Sequence, residues 1–334
     1  MCHLIWCRYH LVRGQSDEEA FNAISDITEV MSHVVKYYLP ESEQEQLDNE
    51  NTGFPQRLRR AVKKQDIAEV RKTIQEWNNA IVRFRDDGTI SKLMDNLRIV
   101  DTELVSRILN QAHARTVSPS NKVLHQYEAW SNNVYGELLP RFVSRILTRD
   151  VQMTSDQVFV DMGSGVGNVV LQAALEIGCE SWGCEMMDKY CDLADAQQAE
   201  FAARCRLWGL SMGEAHLERG DFLTNPKIAK VLKRADVVLI NNQVFSSQLN
   251  DALMTLFLDL KDGCKIVSLK SFVPDGHKIS ARNLNAPYNV LEVERKEYFS
   301  HSVNWTNGSG NYFIATKDSS RIARECKRLG ICQN

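Results

Sequence analysis

The sequence predicts an α/β fold in which a mostly parallel, Rossmann-like sheet carries helices on both faces and a smaller helical domain precedes it. Three observations predict it. The first hundred or so residues repeat apolar side chains at helical spacing. After about residue 150, short β-branched runs alternate with amphipathic helices. A glycine-rich loop, Gly163-Ser164-Gly165-Val166-Gly167, follows the first of those strands and opens a helix. The expected division is a helical N-terminal domain over 1–115, an α/β domain over 116–317, and a basic helix or tail over 318–334.

Taken in order, Ser16 and Glu19 form a capping-box pattern, after which Phe21, Ile24, Ile27, Met31, Val34 and Tyr38 share one helical face until Pro40. Residues 41–53 are acidic and polar and end in Gly53, which predicts a loop. Ile67, Val70, Ile74, Trp77, Ile81 and Phe84 step by three and four, the stripe of a second helix. A third is expected from about Asp101 to Gln111. Segments 158–162, 181–185, 216–221, 237–242, 265–270, 289–299 and 312–316 then read as strands. Between them, 166–177 and 249–260 read as helices, as does the stretch placing Cys191, Ala194, Gln198, Phe201, Cys205 and Trp208 on one face. Nothing helical separates the last two strands, so they are expected antiparallel at one edge.

With 334 residues, 43% of them hydrophobic, the chain can bury a core and has room for two domains. A net charge of -3 gives no global attraction to nucleic acid or membrane, so any such contact must come from local patches. Two stand out: 57–64, RLRRAVKK, and the C-terminal set Lys317, Arg321, Arg324, Lys327 and Arg328. No apolar run reaches the length of a membrane span, and the N-terminus does not read as a signal peptide. A reducing compartment is expected, with the nine cysteines as thiols. Cys2, Cys7, His3 and His10 lack a second pair to complete a metal site, and no metal is expected.

The glycine loop differs from a dinucleotide loop, which has two residues between its second and third glycines. Here the spacing is G-x-G-x-G, and the strand before it ends in Asp161. An acid there repels a pyrophosphate but suits a cationic ligand. S-adenosylmethionine carries an ammonium and a sulfonium. The next strand ends in Glu185, able to take both ribose hydroxyls, and the third in Gly220-Asp221-Phe222, an acceptor and an aromatic suited to adenine. Three acids at successive strand ends behind a glycine loop point to a cofactor site. The fourth strand runs into Asn241-Asn242-Gln243-Val244-Phe245. Enzymes that methylate base amino groups usually carry two prolines there to grip a flipped base. None is present, which disfavours a base substrate.

With these residues in place, the chain resembles the disruptor-of-telomeric-silencing family, the non-SET histone H3 lysine methyltransferases, and its wording is most similar to fungal members. The resemblance spans roughly 120–317. It rests on YEAWSNNVYGELLP at 127–140, the glycine-loop block at 159–174, GCE at 183–185, LERGDF at 217–222, INNQVF at 240–245, KIVSLKSF at 265–272 and SVNWTNGSGNYFIAT at 302–316. It implies a seven-stranded class I methyltransferase sheet and methyl transfer to the core lysine, position seventy-nine, of nucleosomal H3.

The resemblance also implies roles. Tyr135 and Glu137 would hold the methionine end of the cofactor with Asp161, Gly163, Gly165 and Asn168. Glu185 would bind ribose, and Asp221 and Phe222 adenine. Asn241, Trp305 and Tyr312 would line the lysine channel, with Asn241 also beside the cofactor. Implied partners are the nucleosome through histone H3, the histone H4 tail, ubiquitylated H2B, and nucleosomal DNA through the basic patches. A nuclear monomer acting in telomeric silencing is the matching expectation. Gln243 departs from the usual aromatic, Asn311 and Phe313 replace hydroxyl residues, and the family's long lysine-rich tail is not in this sequence. Methyl transfer to RNA or to a non-histone protein is the alternative reading.

Overall fold

The computed structural model describes residues 22–96, 100–120 and 136–330. They fall into two compact units, one within 1–100 together with 207–209, the other within 101–206 and 210–334.

The smaller unit is helical. Helix α1 (Ala23–Tyr38) is capped by the Asn22 side chain, which accepts from the Ser25 amide; the Ser16 capping pattern and Phe21 lie outside the described residues. Residues 41–53 are not simply a loop. They contain α2 (Glu41–Leu47), whose Glu41 and Glu43 sit in the first turn, where they offset the positive end of the helix dipole, and whose Leu47 is buried. Helices α3 (Phe54–Lys63) and α4 (Ile67–Asp86) are separate because the backbone turns left-handed at Gln65 (φ 54°), and Asp66 then caps α4 through the Glu69 amide. Helix α5 (Thr89–Asn96) follows. Met31, Leu58, Trp77 and Phe84 make the core of this unit. The Tyr38 hydroxyl donates to the Trp208 carbonyl (2.7 Å), which fastens 207–209 to it.

The third expected helix, α6 (Thr102–Thr116), starts at an Asp101 cap as read, but it packs inside the larger unit. Its Leu104, Val105, Ile108 and Ala112 are fully buried, and it packs on α7 (Pro140–Arg145) and α8 (Asn168–Glu176). Thr102 and Ser144 hydroxyls both donate to the Glu176 carboxylate, at 2.9 and 2.5 Å, tying the three helices together.

The larger unit is built on seven strands: β1 (Val158–Met162), β2 (Glu180–Glu185), β3 (Ala215–Arg219), β4 (Val237–Ile240), β5 (Lys265–Ser268), β6 (Leu291–Tyr298) and β7 (Gly310–Lys317). Their order is β3-β2-β1-β4-β5-β7-β6. The first five pair in parallel, while β7 is antiparallel to both β5 and β6, as the missing helix between the last two strands required. Between the strands run α9 (Asp188–Leu207), α10 (Pro226–Leu232) and α11 (Ser247–Phe257), and α12 (Ser320–Leu329) follows the sheet. Alternation along the strands feeds two cores. Phe159, Leu239, Val267 and Ile314 face one, and Val160, Val238, Ile266 and Ala315 the other. The chain winds outward from β1 to β3, then returns to place β4 on the other side of β1. Loops leaving β1 and β4 therefore diverge, and such a reversal opens a crevice at the carboxyl ends of the strands.

Candidate active site

A cavity of about 400 Å³ occupies that crevice. It is lined by residues at or just beyond the carboxyl ends of β1, β2, β3 and β4: Asp161, Glu185, Asp221 and Asn241. Gly163 and Gly167 turn the loop after β1 with φ of 89° and 85°, a region costly for any residue with a Cβ. At Gly167 a Cβ would also lie 2.8 Å from a Leu217 methyl, which would have to move aside. The Gly163 and Ser164 amides donate to the Cys184 carbonyl, which pins the loop to β2.

Asp161 is buried, with 3% of its surface exposed, and its carboxyl is pushed up to about 7 by burial and by the neighbouring Glu185 charge. Glu185 is also raised by burial, though less freely, because backbone amides stabilise its anion: Met187 donates at 2.8 Å and Gly165 at 3.1 Å. Two carboxylates thus face one cavity, one without enough support to hold its charge at neutral pH. Asp221 accepts from the Leu223 amide (2.9 Å), and Phe222 lies nearly parallel to Phe245, their rings 6.3 Å apart.

The other end of the cavity is closed by a short antiparallel contact. Leu139 and Asn304 amides donate to the Ser302 and Glu137 carbonyls, and the Asn304 side chain accepts from the Glu137 amide. This sets Trp305 flat against Gly136, where an added Cβ would lie 2.7 Å from the indole ring. Trp305 is 38% exposed and lines the cavity. Asn241 donates through Nδ2 to the Gly136 carbonyl (3.0 Å), which fixes its carboxamide; its Oδ1 is buried and has no hydrogen-bond partner among the described residues. Asn168 donates to the Glu137 carboxylate at 2.6 Å.

The structure therefore brings Glu137, Asp161, Gly163, Gly165, Asn168, Glu185, Asp221, Phe222, Asn241 and Trp305 around one cavity. Tyr135 lies outside the described residues. Tyr312 stands elsewhere. Its ring is wholly buried, meets Phe142 edge-on at 5.1 Å, and is not among the described residues of the cavity wall. Alternation along β7 decides this, because its face there packs on α7 rather than opening to the crevice. The Tyr312 hydroxyl donates to Asp150 (2.5 Å), which also lies near Arg145 and Lys296. Gln243 is at the exposed rim. Sequence reading missed Gly136 and Asn304, whose roles are backbone contacts that residue type does not announce.

Of the basic patches, Arg59, Arg60, Lys63 and Lys64 are exposed along and just after α3, while Arg57 is held by Glu69 and Glu76. The C-terminal set is largely engaged within the chain: Lys317 with Asp262, Arg321 with the Asn289 and Leu291 carbonyls, Arg324 with Asp318, and Arg328 with Glu325. Cys2, His3, Cys7 and His10 lie outside the described residues, and no described group of three His, Cys, Asp or Glu is arranged to hold a metal. Among the described residues no helix is long and apolar enough to cross a membrane.

The sequence profile of the family described as histone methylation protein DOT1 matches residues 113–317. Two proteins named histone-lysine N-methyltransferase, H3 lysine-79 specific, from Emericella nidulans and Aspergillus fumigatus, are 56% and 55% identical over 315 residues. The matches cover 94% of this chain and 62% of each relative, so the chain spans about three fifths of their length. A protein of the same name from Candida glabrata is 33% identical over 308 residues, 89% of this chain and 45% of its own. Solved structures are only loosely alike: an O-methyltransferase from Bacillus cereus has a TM-score of 0.39 at 13% identity, covering 68% of this chain and 96% of that one.

Proposed function

Because the chain belongs to the histone methylation protein DOT1 family, we propose that it transfers methyl groups from S-adenosylmethionine to the lysine at position seventy-nine of nucleosomal histone H3. The observation that carries the reading is the Asn241 carboxamide oxygen, buried and without a hydrogen-bond partner among the described residues, in the same cavity as the buried Asp161 and the half-buried Glu185. Such an orphaned acceptor costs free energy unless a ligand donates to it.

The cavity suits this cofactor. Asp161 resists ionisation when alone, and a cation beside it removes that penalty. Glu185, held by two backbone amides, offers acceptors to ribose hydroxyls, and Asp221 with Phe222 does so for adenine. Glu137, Asn168 and Tyr135 would take the amino-acid end. When bound, the cofactor supplies a methyl group on a sulfonium, open to direct displacement.

The chain's own residues then prepare the amine. A free lysine has a pKa of about 10.4, whereas only the neutral amine can attack. Trp305 walls the approach with an apolar face, and desolvation there lowers the amine's pKa. Asn241 accepts an N–H of that amine through Oδ1 and aligns its lone pair, so that positioning contributes much of the acceleration. Tyr312 acts from behind, holding Asp150 and the packing of α7.

The enzyme would work as a monomer on chromatin in the nucleus. Its DNA contact is assigned to the exposed face of α3 and to Lys64, since the C-terminal cations are mostly engaged within the chain; attraction of this kind weakens steeply with salt. Contacts with the H4 tail and ubiquitylated H2B remain part of the same proposal. The test is transfer of labelled methyl to whole nucleosomes, free histone H3 and total RNA. Label on H3 only within nucleosomes is expected. Label on RNA, or on none of the three while S-adenosylmethionine binds, overturns the substrate assignment.

A further inference from the structure

We propose that Gln197, on α9 behind the cavity, is a positioning residue that sets the Glu137 carboxylate through Asn168; this rests on the cofactor reading above. Gln197 is wholly buried. Its Nε2 donates to the Asn168 Oδ1 (2.7 Å) and to the Val166 carbonyl (2.9 Å) in the glycine loop. Asn168 in turn donates from Nδ2 to Glu137 Oε1 (2.6 Å).

The polarity of this relay is forced. An ionised carboxylate only accepts, so Asn168 must present its amino group to Glu137. Its oxygen then faces Gln197, which must answer with its own amino group. The Val166 carbonyl is an acceptor as well, so a flipped Gln197 would set oxygen against oxygen twice. Gln197 cannot turn, Asn168 cannot turn, and Glu137 is held where it lines the cavity.

The residue is not there for stability alone. Its Oε1 is buried with no hydrogen-bond partner among the described residues, a state that costs free energy. A methionine of similar length would pack at this site without that cost. The fold keeps an amide whose two donors both serve the glycine-loop end of the cavity and whose acceptor serves no described residue. Gln197 is not itself among the described residues lining the cavity, so it acts through Asn168 and the glycine loop, which are.

The experiment compares two ligands by calorimetric titration of the whole chain and of Gln197→Met. S-adenosylhomocysteine carries the amino-acid arm that Glu137 would meet, and methylthioadenosine lacks it. The variant is expected to bind S-adenosylhomocysteine about 10- to 30-fold more weakly and methylthioadenosine within about twofold, with Tm unchanged or higher. In a Glu137→Gln background the same substitution is expected to cost S-adenosylhomocysteine little more, because the relay has lost its end. Equal losses for both ligands, or a fall in Tm that accompanies them, would mean a general packing role and overturn the inference. Unchanged binding of S-adenosylhomocysteine would overturn it as well. A wild-type chain that binds neither ligand sinks the cofactor reading itself, a different result from either.

Discussion

Asp161 ends β1 with 3% of its surface exposed and a carboxyl raised from 3.8 to about 7, so Asp161→Asn removes a group that the unliganded fold holds at a cost. The raised pKa makes the carboxyl harmless below about pH 4, where it is protonated in both states. Its penalty then grows as pH rises, reaching its full size above about 7. Three pKa units at 1.36 kcal/mol each give roughly 4 kcal/mol at pH 8. Asn keeps the shape, carries no charge and has no such window. Its Tm is therefore expected to match the wild type near pH 4 and to exceed it by on the order of 5–10 °C at pH 8. Affinity moves the other way. Wild-type binding of S-adenosylmethionine should weaken as pH falls below about 7, because binding favours the ionised form; the variant should bind roughly 10- to 100-fold more weakly, with a flat profile. Thermal unfolding and calorimetric titration across pH 4–8 read both effects. Equal Tm at every pH, or unaltered binding, would refute the electrostatic account of this site.

Asn241→Ala is expected to lower kcat by about 10²–10³ while leaving S-adenosylhomocysteine affinity within about twofold, measured by single-turnover transfer; normal turnover with intact binding would end the positioning role. Gly136→Ala drives a Cβ into the Trp305 ring and should shift its fluorescence and raise KM for the protein substrate about tenfold, and an unmoved spectrum would argue that Trp305 is not seated there. Tyr312→Phe removes a buried hydrogen bond to the Asp150 carboxyl group and should cost about 1–2 kcal/mol of stability in a denaturant titration, with cofactor binding unchanged. Loss of cofactor binding without loss of stability would place Tyr312 at the cavity after all.

The strands of the sheet were legible because buried parallel strands are nearly continuous β-branched runs, as Val237–Ile240 is, and because acids at their ends have few structural reasons to recur. The helices misread are those whose limits are set by tertiary packing or one dihedral angle. Residues 41–47 are polar enough for a loop, yet one buried Leu47 suffices to seat a helix. One left-handed residue, Gln65, divides α3 from α4. On α9 the inner face was read through Gln198, whereas Gln197 is the buried glutamine, a rotation of one residue that periodicity in a long polar helix does not resolve. Tyr312 was assigned to the channel by resemblance. Its strand register instead turns it toward α7, and alternation on an edge pair cannot be fixed until the partner strand is known.

The two ends of the cavity divide the electrostatic task. Asp161 is raised by its burial and then by the Glu185 charge, a condition that a cationic ligand beside it would relieve. At the other end, on the proposed transfer to lysine, an acid would be harmful. A carboxylate at 241 would hold an incoming lysine as its ammonium and raise the pKa that must fall. A carboxamide oxygen accepts the same hydrogen bond with far less preference for the charged form, which on that proposal favours Asn over Asp at the end of β4.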